Sequence, residues 1–325
     1  MNYLIPEWEK QEFIQLVFPH KNTDWNCCLE EAISTFSEIA YAIAQYQKVL
    51  ICYEDENTIN HLKHKNFIFK KVKNNDTWAR DFGAISVKID NEVKLLDFKF
   101  NGWGLKFPAN YDNLISREIF DIYKSYNFVL EGGSIDTNGQ VLLTTSQCLL
   151  EPNRNYPMTK EEIEDFLKKE LFVKEIIWLN HGFLEGDDTD SHIDTLARFV
   201  NKDTIVYCKC EDKNDIHYNE LKKMKEELKK TNFNLIPLPL PSAKYYNNER
   251  LPATYANFLI TNEAVILPIY EDEKDKYVYD LFKEIFDREI IPINANVLIR
   301  QHGSIHCITK EYFSDCLKKE KHDKR

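Results

Sequence analysis

Cys307 lies near the end of the 325-residue sequence in Gly303-Ser304-Ile305-His306-Cys307-Ile308-Thr309, flanked by isoleucines and reached through a glycine-bearing turn. That placement can present one thiol nucleophile from a rigid base, although a lone cysteine is more often a small buried hydrophobe. Other stretches set acids, bases or glycines at the ends of apolar runs. Thr77-Trp78-Ala79-Arg80-Asp81-Phe82-Gly83 places an Arg beside an Asp between aromatics, which also suits a turn with a surface ion pair. Asn101-Gly102-Trp103-Gly104 is a tight turn carrying a large aromatic, either ordinary packing or the wall of a pocket. Glu131-Gly132-Gly133 follows the apolar Phe128-Val129-Leu130; paired glycines let the backbone approach another group closely, with an acid at the strand's mouth.

The segment from Gly186 to Asp194 gathers four aspartates and His192 within nine positions. It lacks the glycine and the distal glutamate of an EF-hand loop, so calcium is not the reading. One alternative is a helix start capped by Asp190 or Ser191; the other is that His192 and Asp194 point a base and an anion into a shared cleft. His302 and His306 are four apart, but their stretch reads as turn and strand and specifies no third ligand, so no metal is assigned.

The elements that must position these residues alternate. Helical spacing of apolar residues runs over 27–47, 113–126, 160–170, 216–230 and 274–286. Short strand-like runs follow these helices at 48–53, 128–130, 173–178, 233–236 and 290–293, and a further strand covers 13–18. Hairpins pair 84–87 with 93–98 and 257–260 with 264–267, and the apolar Val297-Leu298-Ile299 reads as a strand running into the Cys307 turn. The result is about five β-rich units with one helix each, a structural repetition without sequence identity. A doubly wound sheet competes, but the inserted hairpins count against it.

The composition is 43% hydrophobic, 29% charged and 13% aromatic, and no apolar run approaches the length that spans a bilayer. The N-terminal residues lack a basic head followed by an apolar stretch, so a secretory signal is not expected and the cytoplasm is. The eight cysteines are accordingly expected to be reduced, and neither Cys208-Lys209-Cys210 nor Cys27-Cys28 has zinc-site spacing. A net charge of −11 argues against a nucleic-acid backbone as partner and suits a small cation. Residues 316–325 end in a mixed-charge run expected to fray.

Taken together, Trp-x-Arg-Asp, Asn-x-Trp-Gly, Glu-Gly-Gly, Asp-x-x-Asp-x-His-x-Asp and Ile-His-Cys resemble the agmatine deiminases, within the guanidine-modifying superfamily that includes bacterial peptidylarginine deiminases. The resemblance runs from Pro6-Glu7-Trp8-Glu9 to Thr309. It implies an α/β fold, a five-bladed α/β propeller of ββαβ-type units, with residues 1–325 as one catalytic domain and the site on the central axis. It implies Cys307 as nucleophile, His192 as general acid and base, Glu131 as its carboxylate partner, and Asp81 and Asp194 as the acids that grip a guanidinium. Trp78 and Trp103 are the candidate aromatic contacts for the rest of the substrate. The implied reaction converts agmatine and water to N-carbamoylputrescine and ammonia and requires neither a metal nor an organic cofactor.

The expected partner is a small cationic guanidine, with neither nucleic acid nor membrane, and with self-association left open. Two departures from the family pattern put local turn geometry and rate in question: Gln301-His302-Gly303-Ser304 carries less glycine and a Ser in place of Asn, and Ser191 replaces a glycine before the histidine. The competing readings are deimination of free or peptidyl arginine and a catalytically silent propeller that binds a cationic ligand or partner. Three carboxylates around a thiol raise its pKa, so the cationic substrate itself is expected to help ionise Cys307.

Overall fold

The computed structural model describes residues 2–319. Five sheets repeat one pattern: an antiparallel neighbour, then a strand followed by a helix, then a parallel strand. In the first sheet Thr309–Tyr312 runs antiparallel to Phe13–Val17, and Lys48–Tyr53 and Phe67–Lys71 follow in parallel register. The second comprises Tyr3–Leu4, Ile85–Ile89, Glu92–Lys99 and Lys124–Val129, the third Ile135–Thr137, Val141–Thr145 and Glu175–Leu179. The fourth is Ala197–Asn201, Thr204–Lys209 and Asn234–Pro239, and the fifth Leu259–Ile260, Ala264–Ile269 and Glu289–Asn294. A separate hairpin pairs Lys244–Tyr246 with Glu249–Leu251.

The helices Leu29–Ala44, Asp112–Ile119, Lys160–Leu171, Tyr218–Leu228 and Asp275–Ile285 make the crossovers between parallel neighbours, one per sheet. Local chemistry sets their ends. Thr159 and Glu162 close a capping box on the third, which buries Ile163, Leu167 and Leu171 on one face. Phe13–Val17 is buried throughout, as a strand covered on both faces must be.

Four expectations need correction. The helix read over 113–126 stops at Ile119: Phe120 turns extended and stacks with Phe13 and Tyr312, and Lys124–Val129 is a strand. Val297-Leu298-Ile299 is not a strand but leads into a 3-10 turn, Leu298–Gln301, because three consecutive buried apolar residues fit a helical turn equally well. Neither Asp190 nor Ser191 caps the turn Ile193–Thr195; both have positive φ, and His192 stands at its start. The expected frayed tail begins too early. Cys316 is buried, its carbonyl accepts from Asp121 N–H, and Leu317 bridges Phe120. Residues 320–325 lie outside the described residues. All eight cysteines are free thiols.

Candidate active site

Every connection from one sheet to the next supplies a residue to one cluster. Trp78 and Asp81 lie between the first and second sheets, Glu131 between the second and third, and His192 and Asp194 between the third and fourth. Asn257 lies between the fourth and fifth, and His306 and Cys307 lie between the fifth sheet and the strand that completes the first.

The five residues expected to do chemistry do come together, all of them buried. Asp81 Oδ1 is 3.6 Å from His192 Nδ1, and Asp194 Oδ2 is 4.0 Å from Cys307 Sγ. Gly133 sits where they converge: a Cβ there would lie 2.7 Å from Asp81 Oδ1, 2.7 Å from His192 Nδ1 and 3.0 Å from Asp194 Oδ2. This is the close backbone approach expected of paired glycines, and Gly133 N–H also donates to Asp81 Oδ1 at 2.9 Å.

A cavity of about 170 Å³ opens above Cys307, whose surface is only 7% exposed. Trp78 and Trp103 both line it, together with Asp24, Asp76, Asp81, Asp187 and Asp188. Trp103 Nε1 donates to Asp81 Oδ2 at 2.9 Å, and Trp78 Nε1 to Asp76 Oδ2 at 3.2 Å. Gly303 lets the ring of Trp78 press on the Cys307 loop, where a Cβ would lie 2.1 Å from the indole.

Three residues outside the expected set fix this geometry. Arg154 Nε donates to both oxygens of Glu131 at 3.0 Å, while its Nη1 reaches Asp190 Oδ2 at 2.7 Å. Asn257 Oδ1 accepts from the backbone N–H groups of His306 and Cys307 at 3.0 and 3.2 Å. His306, far from pairing with His302, meets Asp194 and Glu7, whereas His302 Nδ1 contacts the Gly186 carbonyl. No local spacing marks Arg154; Glu7 and His306 do lie inside motifs that carry the resemblance.

The electrostatics follow from burial. It pushes the Cys307 thiol well above its ordinary pKa, with Asp194 and then Asp81 adding to the effect. Burial raises Asp81 to about 7 against the Trp103 hydrogen bond, and raises Asp194 far above the carboxylate range, helped by Asp81. Burial, then Arg154 and Lys106, pushes His192 well down. Burial thus works against every charged form in the cluster, thiolate, imidazolium and carboxylate alike. An oxygen of Glu131, the Cys148 sulfur and a His192 nitrogen lie within 4.8 Å of one another, but Glu131 is committed to the Arg154 guanidinium, whose charge opposes a metal ion there.

The departures from the family pattern leave a visible trace. Ser191 and His302 have φ of 64° and 65°, in the left-handed region where a glycine costs nothing. Ser304 Oγ lies 3.1 Å from the Tyr270 hydroxyl.

The family model of the Porphyromonas-type peptidyl-arginine deiminases matches residues 3–312. The chain belongs to this family. It is similar to the C. jejuni agmatine deiminase, solved as a cysteine-to-serine variant with substrate bound, at 46% identity over 98% of both chains and a TM-score of 0.95. The Enterococcus faecalis agmatine deiminase is 29% identical over 95% of both chains, with a TM-score of 0.88. The agmatine deiminase of Pseudomonas aeruginosa is 31% identical over 94% of both chains. No helix among the described residues of this deiminase-family chain is long and apolar enough to cross a membrane.

Proposed function

We propose that the protein hydrolyses agmatine to N-carbamoylputrescine and ammonia through a covalent bond to Cys307. The observation that carries agmatine over arginine is the lining of the cavity above Cys307: acids and tryptophans stand there and, among the described residues, neither Arg nor Lys does. The α-carboxylate of arginine calls for a cationic partner, whereas the far end of agmatine is an ammonium suited to Asp24, Asp188 and an indole face. The agmatine deiminases among its relatives support the same reading.

In this mechanism Asp81 and Asp194 take the donor edges of the planar guanidinium and orient its carbon toward Cys307. The bound cation offsets the two acids that raise the thiol, so Cys307 passes its proton to His192 as sulfur attacks carbon. Ammonia departs with that proton and leaves an amidino group on sulfur. Water then adds to the carbon, its proton going to His192, and the carbon–sulfur bond breaks to give a neutral urea and the free thiol. Glu131, held by Arg154, is the carboxylate that supports the charged form of His192.

We read the five sheets as the blades of an α/β propeller forming one catalytic domain over residues 1–325, acting in the cytoplasm. The repeated strand and helix order supports the blades, as does the cluster fed by every connection between sheets. The test is ammonia release from agmatine, arginine and an arginyl peptide, with Cys307→Ser as control. The expected result is a kcat/KM for agmatine at least about tenfold above the others, lost by about three orders of magnitude in the variant. Preference for arginine or the peptide reassigns the substrate, and no release from any of them removes the enzyme reading.

A further inference from the structure

Behind Asp194 lies a histidine that the mechanism above leaves unused. His306 Nδ1 is 2.7 Å from Asp194 Oδ2, its Nε2 is 2.6 Å from Glu7 Oε2, and the ring is buried. The His306 backbone is fixed from both sides, by Asn257 Oδ1 on its N–H and by Arg80 Nε, 3.3 Å from its carbonyl. Glu7 is matched by two guanidiniums, with Arg198 Nη2 at 2.8 Å and Arg80 Nη2 at 3.6 Å. The second oxygen of Asp194, Oδ1, is buried and meets no hydrogen-bond partner among the described residues.

Both ring nitrogens thus face carboxylate oxygens, yet a neutral imidazole donates on one side only. Two hydrogen bonds need two protons, and with Glu7 held as the ion-pair partner of Arg198 and Arg80 two arrangements supply them. Either an imidazolium lies between two carboxylates, or a neutral ring donates to Glu7 and accepts from a protonated Asp194. The two carry the same net charge and differ by one proton moved across the 2.7 Å contact.

We propose that His306 is a positioning residue that stores the proton of Asp194 while a guanidinium is bound and returns it when the neutral product forms. The inference rests on the agmatine reading above. In the resting site burial, then Arg198 and Arg80, favours the neutral ring; Lys310 acts in the same sense and Glu311 against it. Burial and Asp81 meanwhile favour a protonated Asp194. A guanidinium against Asp194 reverses that balance. The O–H bond at Oδ2 breaks as an N–H bond forms at Nδ1, and Glu7 balances the imidazolium. Once the substrate carbon becomes a neutral urea, the attraction ends and the proton returns. The charge of Asp194 follows the charge of the ligand without exchange with solvent.

The test uses Cys307→Ser protein, labelled with 15N-histidine, which takes up agmatine without turnover. On saturation the His306 Nδ1 signal is expected to move to the imidazolium position. Calorimetry at pH 6 in buffers of differing ionisation heat is expected to show about one more proton released per agmatine in the Cys307→Ser, His306→Gln double variant than in Cys307→Ser alone. Binding with an unmoved His306 signal, or with equal proton counts, overturns the proposal and leaves the agmatine reading standing. Absence of binding overturns both. The spectroscopic arm needs no change at His306, so it stands even where His306→Gln fails to fold.

Discussion

At Asp81 burial and ligand binding pull in opposite directions. Burial lifts the carboxyl to about 7, while the N–H groups of Trp103 and Gly133 draw it back. Only the ionised form holds a guanidinium, so kcat/KM for agmatine is expected to rise with pH along a limb near 7, and kcat, measured with substrate bound, to lack that limb. Trp103→Phe keeps a ring and deletes the N–H, and is expected to move the limb upward by about one pH unit. An unmoved limb in that variant assigns it to another group. Asp81, Glu131, His192, Asp194 and Cys307 each stand in a short segment whose residue types contrast with the apolar runs beside it, which marks the segments; their gathering into one site is what the family resemblance implies. Arg154 is not legible: it lies in an ordinary turn, Pro152–Asn155, and acquires its meaning from Glu131, 23 positions away. His306 invites comparison with its neighbour His302, whereas its partners lie 112 and 299 positions away.

Among the elements of the described residues, the turn that carries Trp103 has the longest run of positive φ. Gly102, Trp103, Gly104 and Leu105 have φ of 69°, 55°, 78° and 68°, a left-handed turn closed by Asn101, which accepts from the N–H groups of Gly104 and Leu105. Glycine adopts this conformation freely, but each side chain there costs roughly 1 kcal/mol. Trp103 offsets its share through Asp81, whereas Leu105 is 70% exposed. Leu105→Gly is therefore expected to stabilise the protein by about 0.5–1 kcal/mol in denaturant unfolding, with ammonia release unchanged. Gly102→Ala is expected to act oppositely: its Cβ would lie 2.1 Å from the Phe107 carbonyl oxygen, so the turn must shift, stability falls by about 2–4 kcal/mol and Trp103 leaves Asp81. Loss of stability in Leu105→Gly would show that the turn is relaxed. The two glycines make a turn legible here; its left-handed extension through a leucine is not, since residue preferences point away from it.

For the whole molecule, several carboxyls in one buried place set how stability responds to pH. The folded pKa of Asp81, about 7, lies above the ordinary carboxylate value of 3.8. Its stabilising contribution is therefore fully present below the unfolded value and is lost as pH rises through the folded one. A bound cation reverses the sign, because it favours the ionised form. Agmatine is thus expected to bind Cys307→Ser about 30-fold more weakly at pH 5.5 than at pH 8, and to raise its melting temperature more at the higher pH. An equal shift at both values would mean that Asp81 is already ionised. The five helix-bearing units are legible because each helix shows one apolar face to its sheet. Their limits are less so: Phe120, Ile122 and Tyr123 continue the helical spacing of 113–126, yet the rings of Phe13 and Tyr312 claim Phe120 for the space between sheets.

The strand Thr309–Tyr312 completes the first sheet by pairing with Phe13–Val17, and Cys307 lies two residues before it. The thiol thus follows every acid of the cluster in the chain, and it meets Asp81 and Asp194 only when the strand just after it docks onto Phe13–Val17. A chain interrupted between Asp194 and Cys307 therefore carries the acids of the cluster without the thiol proposed as nucleophile, and no such fragment is expected to release ammonia from agmatine.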